Sequence, residues 1–160
     1  MKKTVLLTII IISTLIFSSE LKKVKAFRIK NMEGEIVHLD SIVAKGPALI
    51  NFWASWCKPC KEELPVFKKI DEEFSEKGLQ TLLITIDKPS QVMKANNFLI
   101  TKAIGLPLLR DCTKKVFKSF GGGRSIPMTF LLNTKREVVF KKKGQIKYKE
   151  LKKEISKILL

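Results

Sequence analysis

The sequence predicts an α/β domain, a central mixed sheet flanked by helices. Two observations carry this. Apolar, β-branched runs of strand length, Ala48 to Trp53 and Leu79 to Ile86, alternate with stretches whose apolar residues recur every three or four positions. Short strand pairs bracket that alternation at both ends. Strands alternating with helices form a layered sheet, and terminal hairpins add antiparallel edges to it.

The elements follow in order. Phe27 to Ile29 and Glu35 to Leu39 read as a hairpin around the turn residues Asn31-Met32-Glu33-Gly34. Asp40 to Lys45 reads as a brief helix, and Gly46-Pro47 punctuates the chain. After the strand Ala48 to Trp53, a helix is expected from Lys58 to Lys77, where Leu64, Phe67, Ile70 and Phe74 keep helical spacing. Pro65 should kink it and Gly78 should end it. Beyond the strand Leu79 to Ile86, Ser90 to Lys102 forms a helix with Val92, Phe98 and Leu99 toward the core, and Leu106 to Leu109 a short strand. Val116, Phe117 and Phe120 mark another helix, closed by Gly121-Gly122-Gly123. Met128 to Leu132 and Glu137 to Phe140 pair through a turn at Asn133-Thr134. The last helix, Tyr148 to Leu160, carries Tyr148, Leu151, Ile155 and Ile158 on one face and lysines on the other. That apolar stripe is expected to dock on the core, with a membrane-surface helix as the alternative.

Composition narrows the function classes. A chain of 160 residues, 45% hydrophobic, can bury one sizeable core. With 8 Gly and 6 Pro it is neither collagen-like nor low-complexity, and three Cys are too few for a disulfide-stapled scaffold. The formal charge is +16, which first suggests nucleic acid or an anionic membrane surface. Only four of the 31 basic residues are Arg, however, and specific phosphate and base recognition leans on Arg forks. Residues 135–160 read as a Lys-rich tail, holding ten of the basic residues, including Lys141-Lys142-Lys143. The charge therefore reads as a solvated surface with a membrane bias, and no nucleic-acid partner is expected.

Met1-Lys2-Lys3 precedes an uncharged run from Thr4 to Ser19. A short positive segment followed by a brief apolar one is the pattern of an export signal, and the run falls short of the ~20 residues a spanning helix needs. Residues 1–19 are expected to be a signal peptide or N-terminal membrane anchor, 20–26 a short linker and 27–160 the folded domain. That places the domain in the periplasm or at the extracytoplasmic face of the cell membrane.

The chemistry concentrates at Trp56-Cys57-Lys58-Pro59-Cys60, between a strand and a helix. Two Cys at this spacing can close a small disulfide ring. The first thiol sits where helix amides and the positive end of the dipole favour a thiolate, and Lys58 adds charge beside it. Pro59 suits the first helical turn. A static disulfide and half of a zinc site are the competing readings. Zinc usually takes four ligands, and Cys112 and His38 make a poor second pair. Redox chemistry is the stronger reading.

The stretch from Asn51 through Trp53, Trp56, Cys57, Cys60 and Glu63 to Pro65 closely resembles the TlpA/ResA-like branch of the thioredoxin superfamily. Ser125-Ile126-Pro127-Met128-Thr129-Phe130-Leu131-Leu132-Asn133 resembles that family's second signature. The resemblance covers about residue 27 to the end. It implies a thioredoxin-like fold with an N-terminal β-hairpin and an inserted helix-strand segment. It also implies roles. Cys57 would be the attacking thiolate and Cys60 the resolving thiol, together the redox-active disulfide. Trp53 and Trp56 would form an aromatic wall beside them. Pro127 would be a cis-proline, and the Ile126 backbone would pair with a substrate strand. Plain thioredoxin has a buried Asp where this chain has Asn51. Glu63, three residues after Cys60, matches the branch's acidic residue and would accept the Cys60 proton or raise thiol pKa values.

The implied function is reduction of client disulfides in an oxidising compartment. Apocytochrome c or copper-centre assembly proteins would be the clients, and a membrane thiol donor would recharge the enzyme. No metal or organic cofactor is expected. A thioredoxin-fold copper metallochaperone and a non-catalytic interaction domain are the alternatives. Cys112 is left over, either free or in a regulatory or intermolecular disulfide.

Overall fold

A computed structural model describes residues 21–159; the signal or anchor expected at 1–19 lies outside them. The chain runs through β1 (Arg28–Asn31), β2 (Ile36–His38), α1 (Leu39–Val43), β3 (Ala48–Trp53) and α2 (Lys58–Phe74). It continues through β4 (Gln80–Thr85), α3 (Val92–Thr101), β5 (Leu108–Arg110), α4 (Lys115–Ser119), β6 (Met128–Leu132), β7 (Val138–Lys143) and α5 (Tyr148–Leu159). The seven strands form one sheet in the order β2-β1-β5-β4-β3-β6-β7. β3, β4 and β5 are parallel; the strands outside them pair antiparallel. The sheet is therefore mixed, with the hairpins at its two edges, as the element pattern requires.

Burial explains the centre. Every residue of β3 is buried, and so are five of the six in β4. A strand covered on both faces needs no polar alternation, which is why both read as continuous apolar runs. Phe52 sits within a ring cluster with Phe117, Phe120 and Phe130, at centroid separations of 5.2, 5.3 and 5.9 Å. This cluster fastens α4 to β3 and β6. The following glycine turn then leads into Pro127 from a fixed start.

α2 runs unbroken through Pro65, so the expected kink does not divide it. Pro65 forgoes one backbone bond, while Leu64, Phe67, Ile70 and Phe74 hold the helix by burial. α5 docks against α2, with Leu151 and Ile155 fully buried. Glu73 of α2 accepts from Tyr148 and from Lys152 Nζ (2.5 Å) across that joint. The centre of the apolar stripe is thus spent on the core, with Tyr148 and Ile158 partly buried against it.

Two stretches differ from expectation. Lys141, Lys142 and Lys143 belong to β7, not to a tail, and they line an edge strand. Charged edges discourage pairing with other chains. The expected linker also joins the sheet. Val24 N donates to Arg136 O (2.9 Å), Val138 N donates to Lys22 O (3.0 Å), and Val24 is buried.

Gly46 and Gly78 meet at the entry to the central strands. A Cβ on Gly46 would lie 2.0 Å from the Gly78 carbonyl oxygen. Backbone against backbone leaves no side chain to give way. Gly46→Ala is expected to cost about 3 kcal/mol, read as a lower urea midpoint. An unchanged midpoint would show that the strand entry adjusts freely.

Candidate active site

β3 is the spine of the site. Its parallel pairing to β4 sets Trp53 opposite Thr85, and its antiparallel pairing to β6 sets Phe52 opposite Met128. Three chain segments therefore leave the same end of the sheet: the 54–57 loop after β3, residues 86–88 after β4, and the loop that enters β6 at Pro127. Sheet register alone gathers the two sequence signatures.

Cys57 and Cys60 form a disulfide, with Cα atoms 5.3 Å apart. Cys57 is the N-cap of α2, and its Sγ accepts from Cys60 N at 3.3 Å. A sulfur here faces the unpaired amides and positive dipole end of a 17-residue helix, which stabilise a thiolate. Cys57 retains a little exposure and Cys60 none, so Cys57 is the outer sulfur. The Ile126–Pro127 peptide bond is cis, as the second signature implied. Regular pairing of β6 begins at Met128, so Ile126 lies ahead of the ladder with its backbone outside it.

The tryptophans part ways. Trp56 is 58% exposed, whereas Trp53 is fully buried. Trp53 closes a strand covered on both faces and packs on Phe98, with ring centroids 6.2 Å apart. This corrects the expectation of a two-ring wall at the surface; of the two rings only Trp56 is exposed.

Glu63 is buried within a polar cluster. Its Oε1 accepts from Asn51 Nδ2 (2.8 Å) and its Oε2 from Ile146 N (2.9 Å). Asn51 Nδ2 also donates to Thr129 Oγ1 (3.2 Å), tying β3 to β6. Burial pushes the Glu63 carboxyl up to about 7, against the smaller opposing pull of Ile146 N–H and the Asn51 amide. Asn51 Oδ1 has no partner among the described residues and stands ready to accept a proton-bearing group. A carboxyl one helical turn from Cys60 thus titrates near neutrality.

Two supporting residues escaped the sequence reading. Asp87 is fully buried and clasps the loop before the disulfide. Its Oδ2 accepts from Ser55 N (2.8 Å) and Thr85 Oγ1 (2.6 Å), and its Oδ1 from Ser55 Oγ (2.9 Å). The signal was present: an acid just past a buried strand, at the end where β3 also stops. Gln145 is the other. Its Nε2 donates to Pro59 O (2.9 Å) inside the Cys-Lys-Pro-Cys ring, while the adjacent Gly144 N donates to Pro127 O (2.9 Å). Nothing local in the sequence marks that loop. Asp87→Ala would strand the Ser55 amide and two hydroxyls, and is expected to lower stability by about 2–4 kcal/mol in urea unfolding. A loss within error of zero would remove Asp87 from the account of the loop.

Among the described residues no cluster of His, Cys, Asp and Glu has a metal-holding arrangement. His38 ends β2, four strands from β3 across the sheet. At about 4.8 Å per strand that is far beyond ligand reach of Cys57.

A Cys-X-X-Cys disulfide opening a helix, beside a cis-proline on this sheet, defines a thioredoxin-fold protein. More narrowly, the chain belongs to the AhpC/TSA family, whose model matches residues 21–149. It is 29% identical over 118 residues to the thiol-disulfide oxidoreductase ResA of Bacillus thuringiensis, covering 74% of this chain and 66% of that protein. The chain thus spans just under two thirds of the length of that curated relative. Among solved structures, StoA from Bacillus subtilis aligns with a TM-score of 0.67 at 26% identity, over 82% of this chain and 96% of that one. A thiol:disulfide interchange protein of the DsbE type from Chlorobium tepidum aligns with a TM-score of 0.78 at 22% identity, over 88% and 97%. At that identity the likeness concerns the fold alone.

Proposed function

We propose that this protein is a thiol–disulfide oxidoreductase that reduces disulfides of client proteins outside the cytosol. The observation that carries the reading is the Cys57–Cys60 disulfide at the N-terminus of α2, with Cys57 outermost. In the dithiol form, Cys57 thiolate attacks one sulfur of a client disulfide. A Cys57–client bond forms, the client S–S bond breaks, and one client thiolate leaves. Cys60, once deprotonated, attacks Cys57 Sγ and expels the second client sulfur. The client gains two electrons and the enzyme becomes the disulfide. A thiol donor at the membrane returns it to the dithiol.

Each neighbour has a task. Glu63, with a pKa near 7, takes the Cys60 proton in the second step and returns it on recharging. Trp56 covers the client beside Cys57. Ile126 offers backbone to an extended client segment, and Pro127 holds that loop against the disulfide. Relatives named thiol-disulfide oxidoreductase support the exchange chemistry, and the export-like pattern of residues 1–19 supports a place outside the cytosol. Apocytochrome c and copper-centre assembly proteins are the proposed clients.

Direction is tested by equilibrating the Cys57–Cys60 couple against a dithiol buffer. A potential near that of thioredoxin, about −270 mV, is expected. A value near that of strong oxidants, about −120 mV, would contradict a reductase.

A further inference from the structure

A groove of about 370 Å³ lies between the first turns of α2 and the far half of α3. Phe98 contributes an apolar wall, half-buried and backed by Trp53. Pro65 adds a second apolar surface. Lys58, Lys61 and Lys102 also line it. Lys58 directly follows Cys57 in the chain, so the groove lies along the first turns of the helix that Cys57 caps. Lys61 Nζ stands 5.5 Å from the centre of the Phe98 ring.

The charges around this groove are unbalanced. Among the described residues, none of its three lysines takes part in an ion pair. Glu62, its one carboxylate, accepts from Gln145 Nε2 at 3.1 Å. The positive end of α2 adds to the same field. Lysines that serve only solubility do not require a concave apolar floor beside a nucleophile. The Lys61 ammonium stands over the Phe98 ring, and lysine stems add apolar surface beside it while their ammonium groups stay in water.

We infer that this groove selects clients, seating an acidic segment that inserts an apolar side chain against Phe98 beside the disulfide to be reduced. The inference rests on the exchange reading above. Carboxylates on the client meet Lys58, Lys61 and Lys102, and raise the rate of productive encounter at Cys57. A client segment rich in lysine is repelled. Selection therefore lies on the α2–α3 side of Cys57, while Ile126 supplies sequence-independent backbone pairing.

The test uses the dithiol protein and two peptides. Each carries one Cys as its methyl mixed disulfide and a neighbouring Phe, flanked by three Glu or by three Lys. Formation of the protein disulfide is followed by quenched mass spectrometry, and each variant is normalised to its rate with the uncharged reagent 4,4′-dithiodipyridine. The Glu peptide is expected to react about tenfold faster than the Lys peptide at low salt, with the ratio falling toward one as salt is added. The double variant Lys61→Glu/Lys102→Glu should invert the ratio. Equal rates for the two peptides, or a preference untouched by charge reversal, would overturn the inference. No reaction with the uncharged reagent would instead refute the exchange reading, and the groove's role with it.

Discussion

Cys57→Ser is expected to abolish disulfide reduction, with a loss of about a thousandfold or more in insulin turnover. The magnitude follows from chemistry. A hydroxyl at the head of α2 is not ionised at neutral pH, and it cannot form the mixed disulfide through which electrons pass. Cys60 is fully buried and cannot take over the attack. Cys112 is half-buried on the segment after β5, two strands from β3, and offers no second route. Cys112→Ser should accordingly keep wild-type turnover. Turnover that survived Cys57→Ser and vanished with Cys112→Ser would move the chemistry to another part of the molecule.

Glu63→Gln is expected to raise stability at pH 8 and to leave it unchanged at pH 4. In the folded chain the carboxyl titrates at about 7, against an ordinary value of 4.5. Below 4.5 it is protonated in both states and costs nothing. Between 4.5 and 7 the unfolded chain releases the proton while the folded chain holds it, so stability falls as pH rises. Above 7 the folded protein carries a buried carboxylate, at a cost on the order of 3 kcal/mol. Gln removes the charge and keeps the shape. Its carbonyl can accept from Ile146 N, and its amide can donate to the unpartnered Asn51 Oδ1. Urea unfolding at the two pH values checks this, with a gain of about 2–3 kcal/mol for the variant at pH 8. Identical curves at both pH values would mean that Glu63 is solvated in the folded state. The same substitution should remove the step near pH 7 from the rate at which Cys60 resolves a mixed disulfide.

The sequence disclosed those parts of the site that chemistry confines to a short motif. Cys57 and Cys60 stand three apart at a helix start, so local spacing reveals them, whereas Pro127 was legible only through the resemblance of residues 125–133 to a family signature. The α/β order was legible for a related reason. β3 and β4 are covered on both faces, and that burial writes unbroken apolar runs into the chain. The same burial misled the reading of Trp53. The resemblance implied an aromatic wall at Trp53, yet on a strand without a solvent face that ring is buried in the core. What local spacing does not contain is the pairing of distant segments. Glu63 depends on Asn51, twelve residues earlier, and on the amide of Ile146, 83 residues later. Asp87 and Gln145 reach the disulfide loop from β4 and from the β7–α5 turn, and only the sheet order brings them there. Lys141 to Lys143 read as a tail because a charged edge strand lacks the apolar alternation that marks a strand with a buried face.

In the proposed mechanism a client disulfide receives its electrons through Cys57. Cys60→Ser tests it most directly, because it removes the resolving sulfur and stalls exchange at the first bond. The reduced variant, mixed with a disulfide-bearing client and analysed by mass spectrometry, should accumulate a one-to-one covalent adduct. Digestion should map the bond to Cys57, and a thiol reductant should release the adduct. An adduct mapped to Cys112, or none at all, would contradict the account.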